Sequence, residues 1–297
     1  KQSVPTMLSW LIVIYVFPVV GIIAYLIFGE INLGKHRAAM FEQLKPKYMD
    51  WFKHLSHCDN LINTQTNLLY RPIFDLANQR LGIPCILGNE LHILDTPESI
   101  MRSIIHDINQ AEKSINMVFY IWSAQGLVNE VTQALINARQ RGVAIHILLD
   151  SVGSRAFLKS AECQVMRDNG IEVTETLHVN LFRMFFNRID LRQHRKIIVI
   201  DNQISYTGSM NMVDPKFFKK DSNVGEWIDI MVRINGPVSA VLNGLHAWDW
   251  EIETAAKLPL EVPDCPLLPL EQNNSHAVQI FATGPCFPDD LMAQALS

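Results

Sequence analysis

An α/β domain with a mostly parallel sheet flanked by helices, preceded by a transmembrane helix, is the fold this sequence predicts. Three observations carry that reading. Between residues 114 and 174, short apolar runs alternate with helix-length amphipathic stretches, the order that places helices on both faces of a mainly parallel sheet. Residues 197–200 are a continuous β-branched run that ends in Asp201-Asn202, which reads as a buried strand entering a turn. Residues 7–28 hold no charged side chain, a length suited to the roughly 20 residues that cross a bilayer.

Taken in order, the chain opens on Lys1, so a preceding segment is expected. The apolar run closes on Phe28-Gly29-Glu30. It therefore lacks the small-residue end of a signal peptide and exceeds the usual apolar region of about 7–15 residues. Pro18 is read as a kink that a membrane helix tolerates. Lys35, Arg37, Lys45, Lys47 and Lys53 follow, and by the positive-inside rule they put the remainder on the cytoplasmic side. Residues 1–32 thus form the transmembrane segment, and 33–84 a helical connector without chemistry of its own.

The α/β domain runs from 85 to 257. It begins with a short hairpin around Gly88-Asn89. A helix then opens with Thr96 as N-cap and Pro97 at its first position. A strand over 114–121, a helix over 127–141, a strand over 144–150, a helix over 155–169 and a strand over 172–174 follow. Residues 226–234 alternate, with Ile228, Ile230, Val232 and Ile234 on one face and Trp227, Asp229, Met231 and Arg233 on the other. A long helix covers 237–254, and a Pro-rich linker begins at 258. Phe281-Ala282-Thr283-Gly284-Pro285, with Pro288-Asp289-Asp290 after it, repeats the pattern of residues 94–101. Residues 258–297 therefore read as a linker and the start of a second, truncated repeat within a longer protein.

A hydrophobic share of 48% is ample for a core, and a net charge of −5 argues against a nucleic-acid partner. Cys58, Cys85, Cys163, Cys265 and Cys286 are irregularly spaced; they form neither a zinc pattern nor a disulfide framework and are read as reduced. No metal and no other cofactor is expected.

The chemistry concentrates in Gln193-His194-Arg195-Lys196 and in Thr207-Gly208-Ser209-Met210-Asn211. Strand parity gives His194 and Lys196 a common face, while Asp201 joins them only if the strand bulges. An imidazole is a nucleophile near neutral pH, and an ammonium beside it holds a phosphate and the charge that builds on its oxygens. Gly208 permits tight backbone geometry, and Ser209 and Asn211 supply further donors. An isolated His-x-Lys reads as a buried histidine and a strand-end lysine; the spacing His-x-Lys-x4-Asp-x6-Gly-Ser-x-Asn reverses that preference.

This spacing resembles the HKD motif of the phospholipase D superfamily. Met117-Val118-Phe119-Tyr120-Ile121-Trp122, Leu148-Leu149-Asp150-Ser151, Asp190-Leu191-Arg192 and Met212-Val213-Asp214-Pro215 extend the likeness to the bacterial cardiolipin synthase family. The resemblance implies a phospholipase D-like fold and a phosphatidyltransferase of the bacterial cytoplasmic (inner) membrane. Such an enzyme makes cardiolipin and glycerol from two phosphatidylglycerol molecules through a phosphatidyl-histidine, amid anionic membrane lipids. It further implies His194 as nucleophile, Lys196 and Asn211 on the phosphate, Ser209 supporting them, and Asp201 completing the catalytic motif. Asp229 takes the place of an orienting carboxylate, against the plainer reading of a surface acid paired with Arg233. Family members carry two such motifs and this chain has one, so the second HKD half is missing and the fragment alone is expected to be inactive. Hydrolysis of phospholipid by the same chemistry, and a non-catalytic membrane-tethered lipid-binding half, are the alternatives. Asp150 reads equally as a strand-end ligand group or a helix cap, and Tyr120 as a core aromatic or a site wall. Residues 181–188 read as either a buried segment or a surface dipping into the bilayer.

Overall fold

The computed structural model describes residues 4–29, 35–55, 71–177, 192–218, 226–262, 275–283 and 294. The expected segment at 181–188, most of the linker and most of the second repeat lie outside them.

The amino-terminal apolar run does not form one continuous helix. α1 (Val4–Val16) is followed by α2 (Pro18–Ala24) and a π-helical turn, Tyr25–Gly29. Phe17 leaves helical geometry at φ −128° and ψ 76°, because a proline disfavours helical geometry in the residue before it. Gly21 then packs against the backbone of α1: a Cβ there would lie 2.8 Å from Ile14 Cα. Among the described residues no helix is long and apolar enough to cross a membrane. Large apolar side chains such as Leu11, Ile12, Tyr15 and Val19 stand exposed along this segment.

α3 (Lys35–Leu55) and α4 (Arg71–Leu81) lead to the sheet. Its strands are β1 (Ile86–Leu94), β2 (Ser114–Phe119), β3 (Ala144–Asp150), β4 (Glu172–Thr176), β5 (Ile197–Ile200), β6 (Ile204–Gly208), β7 (Met231–Asn235) and β8 (His276–Val278). They lie in the order β4-β3-β2-β5-β6-β7-β1-β8. Here the structure corrects the expected mostly parallel sheet. Among the described residues only β2 with β3 and β3 with β4 run parallel, and every other neighbouring pair is antiparallel. The physical reason lies in the connections. Crossover helices join the first strands, whereas Asp201 and Asn202, both in the left-handed region, reverse the chain tightly between β5 and β6.

The strand separations also shift. Gly88-Asn89 does not close a hairpin but interrupts the register of one strand, β1. The Asn89 amide nitrogen donates to Ile86 O at 2.8 Å while its oxygen accepts from Val238 N at 2.9 Å, so the turn residues shape a bulge. Strand β7 starts only at Met231, and Ile228 is 97% exposed, so the expected apolar face over 226–234 holds only for its second half.

α5 (Pro97–Gln110) starts as expected, with Thr96 and Ser99 forming a reciprocal cap. α6 (Leu127–Gln140) matches its expected span. The helix expected over 155–169 is two, α7 (Arg155–Leu158) and α8 (Ala161–Asp168), the second capped by Ser160. α9 (Ser239–Thr254) closes the domain.

Two cores cover the two faces of the sheet. Ile115, Met117 and Phe119 of β2 meet α5, α6 and α8 on one side. Val118 with Leu148, Ile197 and Val199 faces α9, which is itself packed by α3 through Phe41, Tyr48 and Phe52. Helix α3, expected to be a connector, therefore shares the domain core. Trp248 stacks on Phe41 and Tyr48 at 4.6 and 5.2 Å, and Glu251 accepts from Tyr48 Oη and Lys47 Nζ. Arg37 pairs with Glu253. Two of the basic residues assigned to membrane orientation thus hold α3 to α9.

Candidate active site

The motif residues are held from behind before they are presented to solvent. Asp150, at the end of β3, is fully buried. Its Oδ1 accepts from Val152 N and Gly153 N, both at 2.9 Å, and its Oδ2 accepts from Arg192 Nε at 2.9 Å and Gln193 N at 3.1 Å. A buried carboxylate is tolerable only with such partners. Neither a site wall nor a simple helix cap, Asp150 ties the turn after β3 to the residue that precedes His194. Asp249 on α9 braces the same stretch from the other side, accepting from Gln193 Nε2 at 2.8 Å and from Arg195. The sequence reading passed over Asp249. Its setting between Trp248 and Trp250 in an apolar helix was the available signal, because a carboxylate buried there needs partners.

Between these anchors His194 is exposed. Its ring lies on that of Tyr120, with centroids 4.5 Å apart and planes at 19°. Lys196 Nζ lies 5.9 Å from the same Tyr120 ring and donates to His194 O at 2.7 Å. His194 and Lys196 do share a site, although β5 begins only at Ile197 and strand parity is not what joins them. Burial pushes the Lys196 ammonium below its ordinary value, and the negative charge of Asp229 opposes that fall.

The opposite wall is built by Gly208 and the loop after β6. A Cβ on Gly208 would come within 2.2 Å of Ile230 O, so only glycine lets the chains close. Ser209 N donates to Ile230 O at 2.9 Å, and Ser209 Oγ donates to Asp229 Oδ1 at 2.6 Å. Among the described residues Asp229 Oδ2 is buried without a hydrogen-bond partner. Arg233, the alternative partner for Asp229, is instead bound to Asp107 on α5 at 2.7 Å. Asn211 is buried, and its Oδ1 accepts from Ile121 N at 3.1 Å; this fixes the side chain's orientation and leaves its amide N–H groups as the donors.

Asp201 is the exception. It sits at the far end of β5, in the turn to β6, where its carboxylate accepts from Glu112 N, Lys113 N and Ser114 N at 2.7 to 2.8 Å. The expectation that it acts with His194 is corrected: a four-residue strand separates them, and its oxygens are spent on the backbone leading into β2.

His194, Lys196, Thr207 and Gly208 line a cavity of about 400 Å³ together with the charged Arg192, Arg195 and Asp249 and the apolar Phe41, Leu242 and Ile252. A lining that combines a nucleophile and cations with apolar side chains suits an amphiphile with a phosphate. Among the described residues no group of His, Cys, Asp and Glu is arranged to hold a metal ion.

Residues 104–231 match the family described as cardiolipin synthase, PLD-like domain, and residues 2–30 match the phospholipase D-nuclease N-terminal family. The chain is 46% identical over 296 residues to cardiolipin synthase A of Yersinia pseudotuberculosis serotype O:1b, and equally to that of Yersinia pestis. Each alignment takes in 100% of this chain and 61% of the relative, so the chain spans about 61% of the length of these curated proteins. Among solved structures, the phospholipase D family member Nuc from Salmonella typhimurium aligns at 22% identity and a TM-score of 0.42, covering 55% of this chain and 95% of Nuc. The motif geometry agrees with the sequence matches: residues 104–231 match a PLD-like domain of the cardiolipin synthase type, and the chain is similar throughout its length to curated cardiolipin synthase A.

Proposed function

We propose that this chain carries one half of a phosphatidyltransferase site that makes cardiolipin from two molecules of phosphatidylglycerol. The observation that carries the reading is the convergence of His194 and Lys196 on one Tyr120 ring. A nitrogen of His194 attacks phosphorus and its electron pair forms the N–P bond; the P–O bond to the headgroup breaks, and glycerol leaves after its oxygen takes a proton. A hydroxyl of a second phosphatidylglycerol then attacks the phosphatidyl-histidine, losing its proton as the N–P bond opens. Lys196 and the Asn211 amide stabilise charge on the phosphoryl oxygens. Asp229, held by Ser209, offers its unpartnered Oδ2 as the acceptor that orients His194. The acid that protonates glycerol is expected from a second motif, in the portion of the relatives that this chain does not span. The exposed apolar surface of α1 and α2 supports seating at the bacterial inner membrane, with phosphatidylglycerol and other anionic lipids as its surroundings.

The test is chemical trapping in the full-length protein. Incubated with phosphatidylglycerol labelled at phosphorus and denatured in alkali, which preserves P–N bonds, the wild type carries label on His194, whereas His194→Ala carries none and makes no cardiolipin. Label on another residue would overturn the assignment. Phosphatidic acid in place of cardiolipin would turn the reading to hydrolysis.

A further inference from the structure

Tyr120 lies just past the end of β2, held through its backbone and against its ring. Its carbonyl accepts from Ser154 Oγ at 2.9 Å. The next two backbone N–H groups, of Ile121 and Trp122, donate to Asn211 Oδ1 and Ser154 Oγ at 3.1 Å each. Trp122 and Met212 form a parallel bridge, which locks the loop after β2 to the loop after β6. Gly153 packs against the ring itself: a Cβ there would lie 2.7 Å from Tyr120 Cε2 and 2.8 Å from Cδ2. Gly153 N is in turn held by Asp150, the carboxylate that also holds Gln193 N beside His194. One buried acid therefore sets both the floor under the tyrosine and the approach of the histidine.

We infer that Tyr120 is a positioning residue for His194: its clamped ring, stacked on the imidazole, sets the plane from which a ring nitrogen reaches the phosphorus. The inference rests on the reading of His194 as the nucleophile. His194 is otherwise exposed, and an exposed imidazole turns about two side-chain bonds. Stacking at 4.5 Å and 19° removes one of these freedoms, leaving the ring edges, which carry both nitrogens, free to face the substrate and an acceptor. The ring becomes positively charged as its nitrogen bonds to phosphorus, and an aromatic face beneath it favours that charge. Neither effect requires the phenolic oxygen.

The experiment is a single-turnover measurement of phosphatidyl-histidine formation in the full-length protein, with steady-state kcat and KM alongside. Tyr120→Phe keeps the face and retains the wild-type rate. Tyr120→Leu keeps bulk without a face and slows label transfer to His194 roughly ten- to hundredfold, with KM for phosphatidylglycerol unchanged. Tyr120→Met gives the same reading if the leucine variant fails to fold. Wild-type transfer rates in both aliphatic variants, with His194→Ala still dead, would overturn the role of Tyr120 alone. Loss in Tyr120→Phe equal to that in Tyr120→Leu would overturn it too, by assigning the effect to the hydroxyl. Label transfer that survives His194→Ala would instead remove the reading on which the inference rests.

Discussion

At the scale of single residues, the site separates carboxylates that resemble one another in sequence. Asp201 and Asp229 both stood as candidates, and their surroundings assign them opposite work. Asp201 is saturated by three backbone N–H groups, and Asp229 retains a buried oxygen without a partner among the described residues. Asp201→Ala should therefore lower the unfolding free energy by about 1–3 kcal/mol, the cost of stranding charge-assisted hydrogen bonds, while turnover per folded molecule is unchanged. Thermal midpoints and kcat measured on the same preparation check this. A collapse of kcat without a change in the midpoint would return Asp201 to the chemistry. Tyr120 was legible as an aromatic at a strand end. That it touches His194 was not, because the two are far apart in sequence and only the antiparallel pairing of β2 with β5, which sets Val118 opposite Ile197, brings them together.

At the scale of elements, α9 shows how strongly context overrides pattern. Every side chain from Ser239 to Ile252 is buried, so the helix is sheathed by the sheet on one side and α3 on the other, and its polar residues sit at defined contacts. His246 is among them, stacked on Trp250 at 6.0 Å. Burial, with the nearby charge of His146 adding to it, pushes the His246 imidazole from 6.5 down to about 3. The unfolded chain thus takes up a proton below pH 6.5 that the fold refuses until about pH 3. Stability fully present above pH 6.5 is lost as pH falls through that window, at about 1.4 kcal/mol per pH unit. Denaturant unfolding of the detergent-solubilised protein should show a shallower acid decline in His246→Leu than in wild type. Parallel slopes would mean that another group sets the acid limb. Helix α3, expected in a connector, joins this core for a related reason: Lys47 and Arg37 meet Glu251 and Glu253 across a sequence separation no local pattern reveals.

At the scale of the whole molecule, the cavity beside His194 is one half of a reaction site in the proposed function. Protonation of a leaving group by a positioned acid is worth roughly 10²–10⁴-fold. This 297-residue chain, diluted in membranes, should therefore turn over phosphatidylglycerol at least a hundredfold more slowly than when the remaining length of its relatives is supplied, by that same principle. Robust activity from the dilute chain alone would refute the two-motif site. What the sequence by itself determined was local and periodic. The spacing of the motif singled out His194, Lys196, Ser209 and Asn211; the Thr96 cap began α5; short apolar runs marked β2 and β3 as strands, and a continuous β-branched run marked β5. Tertiary structure alone decided strand direction, the break at Phe17, the burial of α9 under α3, the separation of Asp201 from His194, and the shared hold of Asp150 on Gly153 and Gln193. Periodicity reports which face of an element is apolar, a property of neighbours in sequence. Direction, pairing and the partners of buried charges depend on which distant segments meet, and the free energy that selects them is released only when they pack.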